Sequence, residues 1–172
     1  KNSLFPDPPR SMGYQNIATA DGGVATGETD NYTVTVVDSS VPLKVNLVWA
    51  DVVGSSSCTD CLVNDLRLIV TAPGGAIYYG NNFSGSWSTT GTYDDDKNVV
   101  ESVYIQNPAT GAWTFGVYGT QYGTPINTFT RQPYSLVYSG GFGPYGPAAL
   151  APNRSKYPAI VEQAVPAEPK VL

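Results

Sequence analysis

Seven short apolar segments, each bounded by turn residues, limit the folds open to this chain. The segments alternate between apolar and polar residues or run apolar, they are rich in β-branched and aromatic residues, and no stretch has a sustained helical period. This spacing predicts an all-β fold, a jelly roll or β-sandwich of antiparallel strands. The predicted strands cover residues 31–37, 43–50, 65–71, 76–80, 99–106, 112–119 and 134–139.

The alternation within these segments also predicts the core. Residues two apart on a strand share one face, so each apolar series forms a stripe that one sheet can bury. We interpret the tryptophans chiefly as packing residues. The predicted stripes are Val45, Leu47 and Trp49; Leu66, Leu68 and Val70; and Trp113, Phe115 and Val117.

Composition divides the chain into three parts. Residues 1–29 are rich in Pro and Gly and predict an irregular lead-in or a linker from a preceding domain, and residues 30–141 form the β-domain. Residues 142–172 turn to Pro and Ala, which predicts an extended tail that lies on the domain, on a neighbour or in solvent. Because no signal peptide opens the chain and it begins with Lys1, we expect a mature or excised piece of a longer protein.

Charge and residue counts exclude several functions. The formal net charge is −5 and the pI is about 4.4, which argues against nucleic acid and anionic membranes as partners. No apolar run is long enough for a membrane span. The chain has no histidine, so it lacks the proton shuttle of Ser-His-Asp and Cys-His hydrolases. Only 13% of residues are charged, and a neutral polar surface of this kind suits a secreted, extracellular protein.

The two cysteines lie in a Ser-rich loop, SSSCTDC. Cys58 and Cys61 could form a redox pair, half of a zinc site or a structural disulfide. The chain has no second cysteine pair for zinc, and no helix is expected at this loop to activate a thiol. We therefore expect a disulfide that fixes the loop, which implies an oxidising compartment.

Acidic and amide residues cluster at predicted strand ends. They supply the oxygen ligands that Ca²⁺ prefers, and strand ends and loops add backbone carbonyls. The alternatives are a solvated acidic loop tip and, for Asn64-Asp65, a cap at the entry of a strand. The groups concerned are Asp51, which ends one predicted strand, Asp65, which opens another, and the run Asp94–Asp96 with Asn98 and Glu101; Asp96, Asn98 and Glu101 stand at i, i+2 and i+5.

Carbohydrate chemistry stays open as a third possibility. Trp87 lies in the predicted loop GSWSTTGTY and could offer an aromatic platform, and a pair of carboxylates could act on a glycosidic bond if a cleft held them about 5–9.5 Å apart. Three Asn-x-Ser/Thr triplets begin at Asn31, Asn82 and Asn153, a number that chance explains in a chain so rich in Ser and Thr.

Five blocks of sequence follow one another in a recognisable order. They are LKVNLVWAD (43–51), LVNDLRLIVTAPGG (62–75), YYGNNF (78–83), DDDKNVVESVYIQNPATGAWTFGVYG (94–119) and QPYSLVYSGG (132–141). In this order they resemble the C-terminal β-jelly-roll domain of secreted subtilisin-like serine proteases. The pattern of that family contains L-V-W-[ST]-D, L-V-N-D-L-D-L, a Gly-Asn-[DN] turn, D-x-x-N-N-V-E and a final Gln-x-[YF]-x-L strand. A fainter likeness to the end of the catalytic domain lies in SMGYQNI (11–17).

The resemblance implies a function without an active site. It implies a non-catalytic domain that stabilises a subtilisin-like catalytic domain, in cis or after cleavage, aids substrate binding and holds calcium. The candidate calcium ligands that it implies are Asp51, Asp65, Asp96, Asn98 and Glu101. One departure is Arg67, which stands where the family has a second Asp; either a nearby cation site is lost or Arg67 pairs with a carboxylate such as Asp65. The alternative function is a stand-alone extracellular module, either carbohydrate-binding or part of an assembly in which tails add strands to neighbouring copies.

Overall fold

The computed structural model describes residues 10–18, 22–52, 62–93, 95–120, 131–143 and 152–156. These residues form eleven β-strands and contain no α-helix, so none of them forms a helix that could cross a membrane. All seven predicted strands are present. The strands are β1 (Ser11–Ile17), β2 (Glu28–Val36), β3 (Leu43–Val48), β4 (Leu66–Thr71), β5 (Ile77–Tyr79), β6 (Phe83–Ser84), β7 (Trp87–Ser88), β8 (Val100–Ile105), β9 (Gly111–Gly119), β10 (Tyr134–Gly140) and β11 (Asn153–Lys156).

The strands form two large antiparallel sheets and one small hairpin. The first sheet has the order β1-β10-β3-β8, and the second has the order β11-β2-β9-β4-β5. The hairpin pairs β6 with β7. The first four strands alternate between the sheets, with β1 and β3 in the first and β2 and β4 in the second. The expected all-β sandwich of antiparallel strands is confirmed, and the jelly-roll topology stays a prediction.

The core lies between the two sheets, where their apolar stripes meet. All nine residues of the three predicted stripes are buried, among them Trp49 and Trp113. Phe115 on β9 and Tyr138 on β10 pack across the sandwich with their ring centroids 5.4 Å apart. The pattern of alternation therefore identified the inward faces correctly because residues of one parity on each strand bury together.

The two ends of the sequence contribute strands that the sequence pattern did not predict. Residues 11–17, in the segment predicted to be irregular, form β1 and pair with β10. Tyr14 on this strand is exposed, and an edge strand with one neighbour needs no regular apolar alternation. In the tail, β11 pairs with β2, which agrees with the first of the three placements expected for an extended tail. The domain bounds themselves stay a prediction.

Candidate functional site

Asp51 links the end of β3 to the residues that precede β4. Its carboxylate accepts backbone hydrogen bonds from Val52 at 2.8 Å, from Val63 at 2.6 Å and from Asn64 at 2.9 Å. A carboxylate that accepts several N–H groups acts as a cap for the loop that it closes. Cys58, Cys61 and their expected disulfide lie outside the described residues.

Asn64 joins three of the sequence blocks that carried the resemblance. Its carbonyl accepts a hydrogen bond of 3.0 Å from the indole of Trp49, and its side-chain amide donates to Gln132 Oε1 at 2.7 Å. Gln132 in turn donates to the carbonyl of Ala50 at 3.0 Å. The side chains of Trp49, Asn64 and Gln132 are buried, and these hydrogen bonds satisfy their polar groups. Asn64 thereby fixes the entry to β4.

Glu101 is the most unusual of the candidate ligands because it lies inside the sandwich. It is 1% exposed, and its Oε2 accepts a hydrogen bond of 2.5 Å from the backbone N–H of Leu68, on the other sheet. Burial raises the pKa of Glu101 well above its usual value; the Leu68 hydrogen bond and the charge of Arg67 oppose this, while the charges of Asp65 and Asp95 add to it. Asp65 is also buried, at 2% exposed.

Asn81 and Asp95 close the same region from the hairpin side. Asn81 has a positive φ of 59°, its side-chain amide donates to Asp95 at 2.5 Å and to the carbonyl of Val100 at 2.8 Å, and its Oδ1 accepts from Ser102 N–H at 3.0 Å. The side chain of Asn81 thus pairs with the backbone groups of Val100 and Ser102 at the free edge of β8, as a neighbouring strand would. Although burial raises the pKa of Asp95, hydrogen bonds from Asn81 and Asn98 lower it below its usual value.

The five candidate ligands therefore have different environments. Asp65 and Glu101 are buried and electrostatically coupled, Asp51 caps a loop, and Asp96 and Asn98 are exposed. The Asn98 amide donates to both oxygens of Asp95 at 2.9 Å. Among the described residues, no group of three or more His, Cys, Asp or Glu side chains could hold a metal ion. The calcium site stays a prediction.

A second charged cluster, which the sequence reasoning missed, lies at the edge of β2. Asp30 is fully buried and receives two hydrogen bonds from Arg154 of β11, from Nε to Oδ1 at 2.6 Å and from Nη2 to Oδ2 at 2.9 Å. Tyr134 donates to Asp30 Oδ2 at 2.8 Å. Beside it, Arg131 forms a two-pronged ion pair with Glu28. Although burial raises the pKa of Glu28, the Arg131 hydrogen bond and the charges of both arginines lower it below its usual value.

The sequence of β2 contains a signal for this cluster. Glu28 and Asp30 lie on the same face of β2 as the buried residues Tyr32 and Val34, so the alternation of the strand places two acidic residues on its buried face. A buried carboxylate that stays ionised needs a cationic partner or a set of hydrogen bonds. The partner Arg154, however, is 124 positions away, and no local pattern connects the two residues.

The residues considered for carbohydrate lie in two parts of the structure, Trp87 and Asn82 at the β6–β7 hairpin and Asn31 and Asn153 on the paired strands β2 and β11. Trp87 is half-buried on the β6–β7 hairpin, where the neighbouring Ser88 Oγ accepts a hydrogen bond of 2.9 Å from Tyr104 N–H on β8. The Asn31 amide donates to Asn153 O and Ser155 Oγ at 3.3 Å each, and the Asn82 amide donates to Thr89 O at 3.2 Å. Asn153 is exposed.

The chain is similar to one stretch of a much larger curated protein. It is 34% identical, over 131 residues, to the serine protease/ABC transporter B family protein tagA of Dictyostelium discoideum. The match covers 73% of this chain and 7% of that protein, so the chain spans a small fraction of the relative's length. No protein-family model matches the chain. The similarity relates this β-sandwich to a protein named as a serine protease.

The described contacts of the site join loops and strands to one another. Residues from the five sequence blocks hold loops and strands together through buried hydrogen bonds, as Trp49, Asn64 and Gln132 illustrate. Since the chain has no histidine, the cluster offers no imidazole as a general base for a serine or cysteine nucleophile.

Proposed function

We propose that this chain is the non-catalytic C-terminal jelly-roll domain of an extracellular subtilisin-like serine endopeptidase. The carrying observation is the similarity to a protein named as a serine protease, in a stretch that is 34% identical over 131 residues. The proposal assigns the proteolytic triad to a preceding domain. This chain stabilises that domain by packing against it and aids the binding of protein substrates.

The structure supports this role through the kind of residues that the sequence blocks contribute. Residues that the resemblance shares with the family, such as Trp49, Asn64 and Gln132, join loops to the sandwich. Exposed apolar side chains are also present: Val48 and Val100, which are partners across β3 and β8, are 41% and 47% exposed. Such a pair on an outer sheet face is suited to contact with another domain.

Calcium binding is the second part of the proposal and rests on donor chemistry alone. The candidate ligands Asp51, Asp65, Asp96, Asn98 and Glu101 all carry oxygen donors, which suit a hard cation. Bound calcium would supply positive charge near the buried carboxylates, where Asp65 and Asp95 disfavour the ionised form of Glu101.

The test is to read the coding sequence upstream of Lys1 and to express the protein that it encodes. We expect a subtilisin-like domain with its own histidine, protease activity in the whole protein, and faster thermal inactivation when this domain carries Leu68→Asn, which disrupts the core. The exposed substitution Val37→Ser is the matched control. An upstream sequence without a protease domain, or an isolated chain that cleaves peptides by itself, would overturn the proposal.

A further inference from the structure

The edge of β2 is built around β11 in a way that backbone pairing alone does not require. Asn153, Arg154, Ser155 and Lys156 pair with residues 28–31 in antiparallel register, and the side chain of Asn31 adds hydrogen bonds to Asn153 O and Ser155 Oγ. The sequence specificity of the contact comes from the single arginine of this strand.

Arg154 completes a receptor that is already formed by other residues. Beyond its two bonds to Asp30, its Nη2 donates to the carbonyls of Gly22 at 2.8 Å and Gly23 at 2.7 Å. Tyr134 donates to the same carboxylate from the opposite sheet. A guanidinium fits this set of acceptors because its planar fork can serve a carboxylate and carbonyls together, which a lysine ammonium cannot do with the same geometry.

We propose that this edge of β2 is an acceptor site for the β11 strand of a second copy of this chain, so that copies join by exchanging β11. Residues 22–31 make these contacts with β11. They can make the same contacts with a β11 strand from the same chain or from another copy. Exchange therefore costs no contact at the site, which makes it a low-cost route to association.

Charge complementarity selects this occupant among possible strands. A strand without an arginine at the Arg154 position would leave Asp30, which is fully buried, without its cation. An unpaired buried carboxylate is strongly unfavourable. Every copy of the chain carries a strand with this arginine, so a second copy can supply the same contacts as the chain's own β11. This inference does not depend on the association with a protease.

Disulfide trapping in the full chain tests the exchange directly. Thr29 and Ser155 are Cα partners across β2 and β11, and directly opposed residues of antiparallel strands lie about 4.5–5.5 Å apart, which suits a disulfide. The Thr29 hydroxyl has no hydrogen-bond partner among the described residues, so Thr29→Cys removes no such bond. The variants Thr29→Cys and Ser155→Cys are prepared separately, one of them isotope-labelled, mixed and oxidised mildly.

Exchange predicts a disulfide-linked dimer that joins a labelled to an unlabelled chain through these two cysteines, identified by mass spectrometry. In the control, Val37→Cys replaces Thr29→Cys; Val37 is exposed and has no place in the β2–β11 pairing, so this mixture should give at least tenfold less of the mixed dimer. A mixture of Thr29→Cys with unmodified chain controls for the native cysteines. Equal yields in the test and control mixtures would overturn the proposal.

A double variant and an arginine substitution make the result decisive. Thr29→Cys/Ser155→Cys in one chain should form the disulfide and give both monomers and covalent oligomers, whereas a strand that never leaves its own chain gives monomers alone. Adding Arg154→Gln to the Ser155→Cys chain should lower the mixed dimer at least tenfold. A double variant that yields only cross-linked monomers, or a mixed dimer indifferent to Arg154→Gln, would refute strand exchange at this site.

Discussion

Glu101 on β8 accepts a hydrogen bond of 2.5 Å from the backbone N–H of Leu68 on β4, and this contact joins the two sheets through the core. The acceptor is a carboxyl group that is 1% exposed and close to the negative charges of Asp65 and Asp95. The bond satisfies a backbone donor, but ionising this carboxyl is unfavourable. Glu101 is thus a structural link with an electrostatic penalty.

The penalty predicts a pH-dependent effect of Glu101→Gln. The pKa of Glu101 is higher in the folded chain than its usual value of 4.5. The contribution of Glu101 to the free energy of unfolding is therefore fully present below pH 4.5, and it is lost as the pH rises through the raised pKa of the folded chain. Gln keeps an oxygen for the Leu68 N–H and carries no charge. In calcium-free buffer at neutral pH we expect the variant to be more stable by on the order of 1 kcal/mol, which corresponds to about 2–4 °C in melting temperature.

Thermal melts from pH 3 to pH 8 would measure this difference. The gain of Glu101→Gln should disappear at the acidic end, where Glu101 is protonated in the folded and unfolded chains alike. Val100→Ala, at an exposed position of the same strand, is the control for changes to β8 itself. A variant that is less stable than the original chain at neutral pH without calcium contradicts the electrostatic account.

Gly80 precedes Asn81 and lies against the same carboxylate. A Cβ atom at this position would be 2.2 Å from Glu101 Oε2 and 2.7 Å from Glu101 Cβ. The side chain of Glu101 is held by Leu68 and cannot move aside without breaking that bond. We expect Gly80→Ala to cost about 1–3 kcal/mol in the free energy of unfolding.

Chemical denaturation would measure the loss, with Gly74→Ala as the matched control, since a Cβ atom there meets nothing within 4 Å. Combining Gly80→Ala with Glu101→Ala should recover part of the stability, because it removes the contacts with the Glu101 carboxyl group and leaves only the contact with its Cβ atom. Equal costs for Gly80→Ala in the two backgrounds would show that the clash is not the cause.

Particular residues show how far the sequence alone determines this structure. Leu66, Leu68 and Val70 were placed in the core because a period of two in β-branched and aliphatic residues has few other meanings. The same period puts Glu101 in phase with the buried Val103 and Ile105, although its acidic side chain suggested a metal ligand instead. The phase of Glu101 on β8 thus indicates a buried position, which the sequence analysis did not predict, and its role as a metal ligand stays a prediction.

Long-range polar contacts set the limit of that prediction. The pairing of Asp30 with Arg154 and of Asn64 with Gln132 joins residues 124 and 68 positions apart, and neither contact follows from a local pattern. The edge strand β1 was missed for a related reason. With one neighbouring strand and an exposed Tyr14, it has little need of the alternation by which a strand is recognised.

Calcium removal tests the metal part of the proposed function. If the ion binds the folded chain and not the unfolded one, free calcium about a hundredfold above Kd stabilises the fold by about 2.7 kcal/mol. We expect excess EDTA to lower the melting temperature and added calcium, but not magnesium, to restore it. Glu101→Gln should reduce this response. An unchanged transition in excess EDTA would remove calcium from the proposal.

Loss of the Arg154–Asp30 ion pair should release β11 from β2 without unfolding the rest of the domain. Arg154→Gln leaves Asp30 without its cation while β11 is docked, and breaking a buried pair in this way typically costs about 3–5 kcal/mol. Asp30 can avoid that cost if β11 detaches and water reaches the carboxylate. The loss of global stability is therefore limited to the free energy with which β11 docks. We expect rapid amide exchange in β11 and a much smaller change in β9.

Hydrogen exchange read by mass spectrometry distinguishes these outcomes. Asp30→Asn combined with Arg154→Gln should cost less than the sum of the two single changes, since each single change already breaks the pair. Arg154→Lys should protect β11 only in part because an ammonium cannot reproduce the paired bonds to Asp30. If Arg154→Gln accelerates exchange equally in β11 and in the central strand β9, then β11 is an inseparable part of the fold, and its docking on β2 is not an independent step.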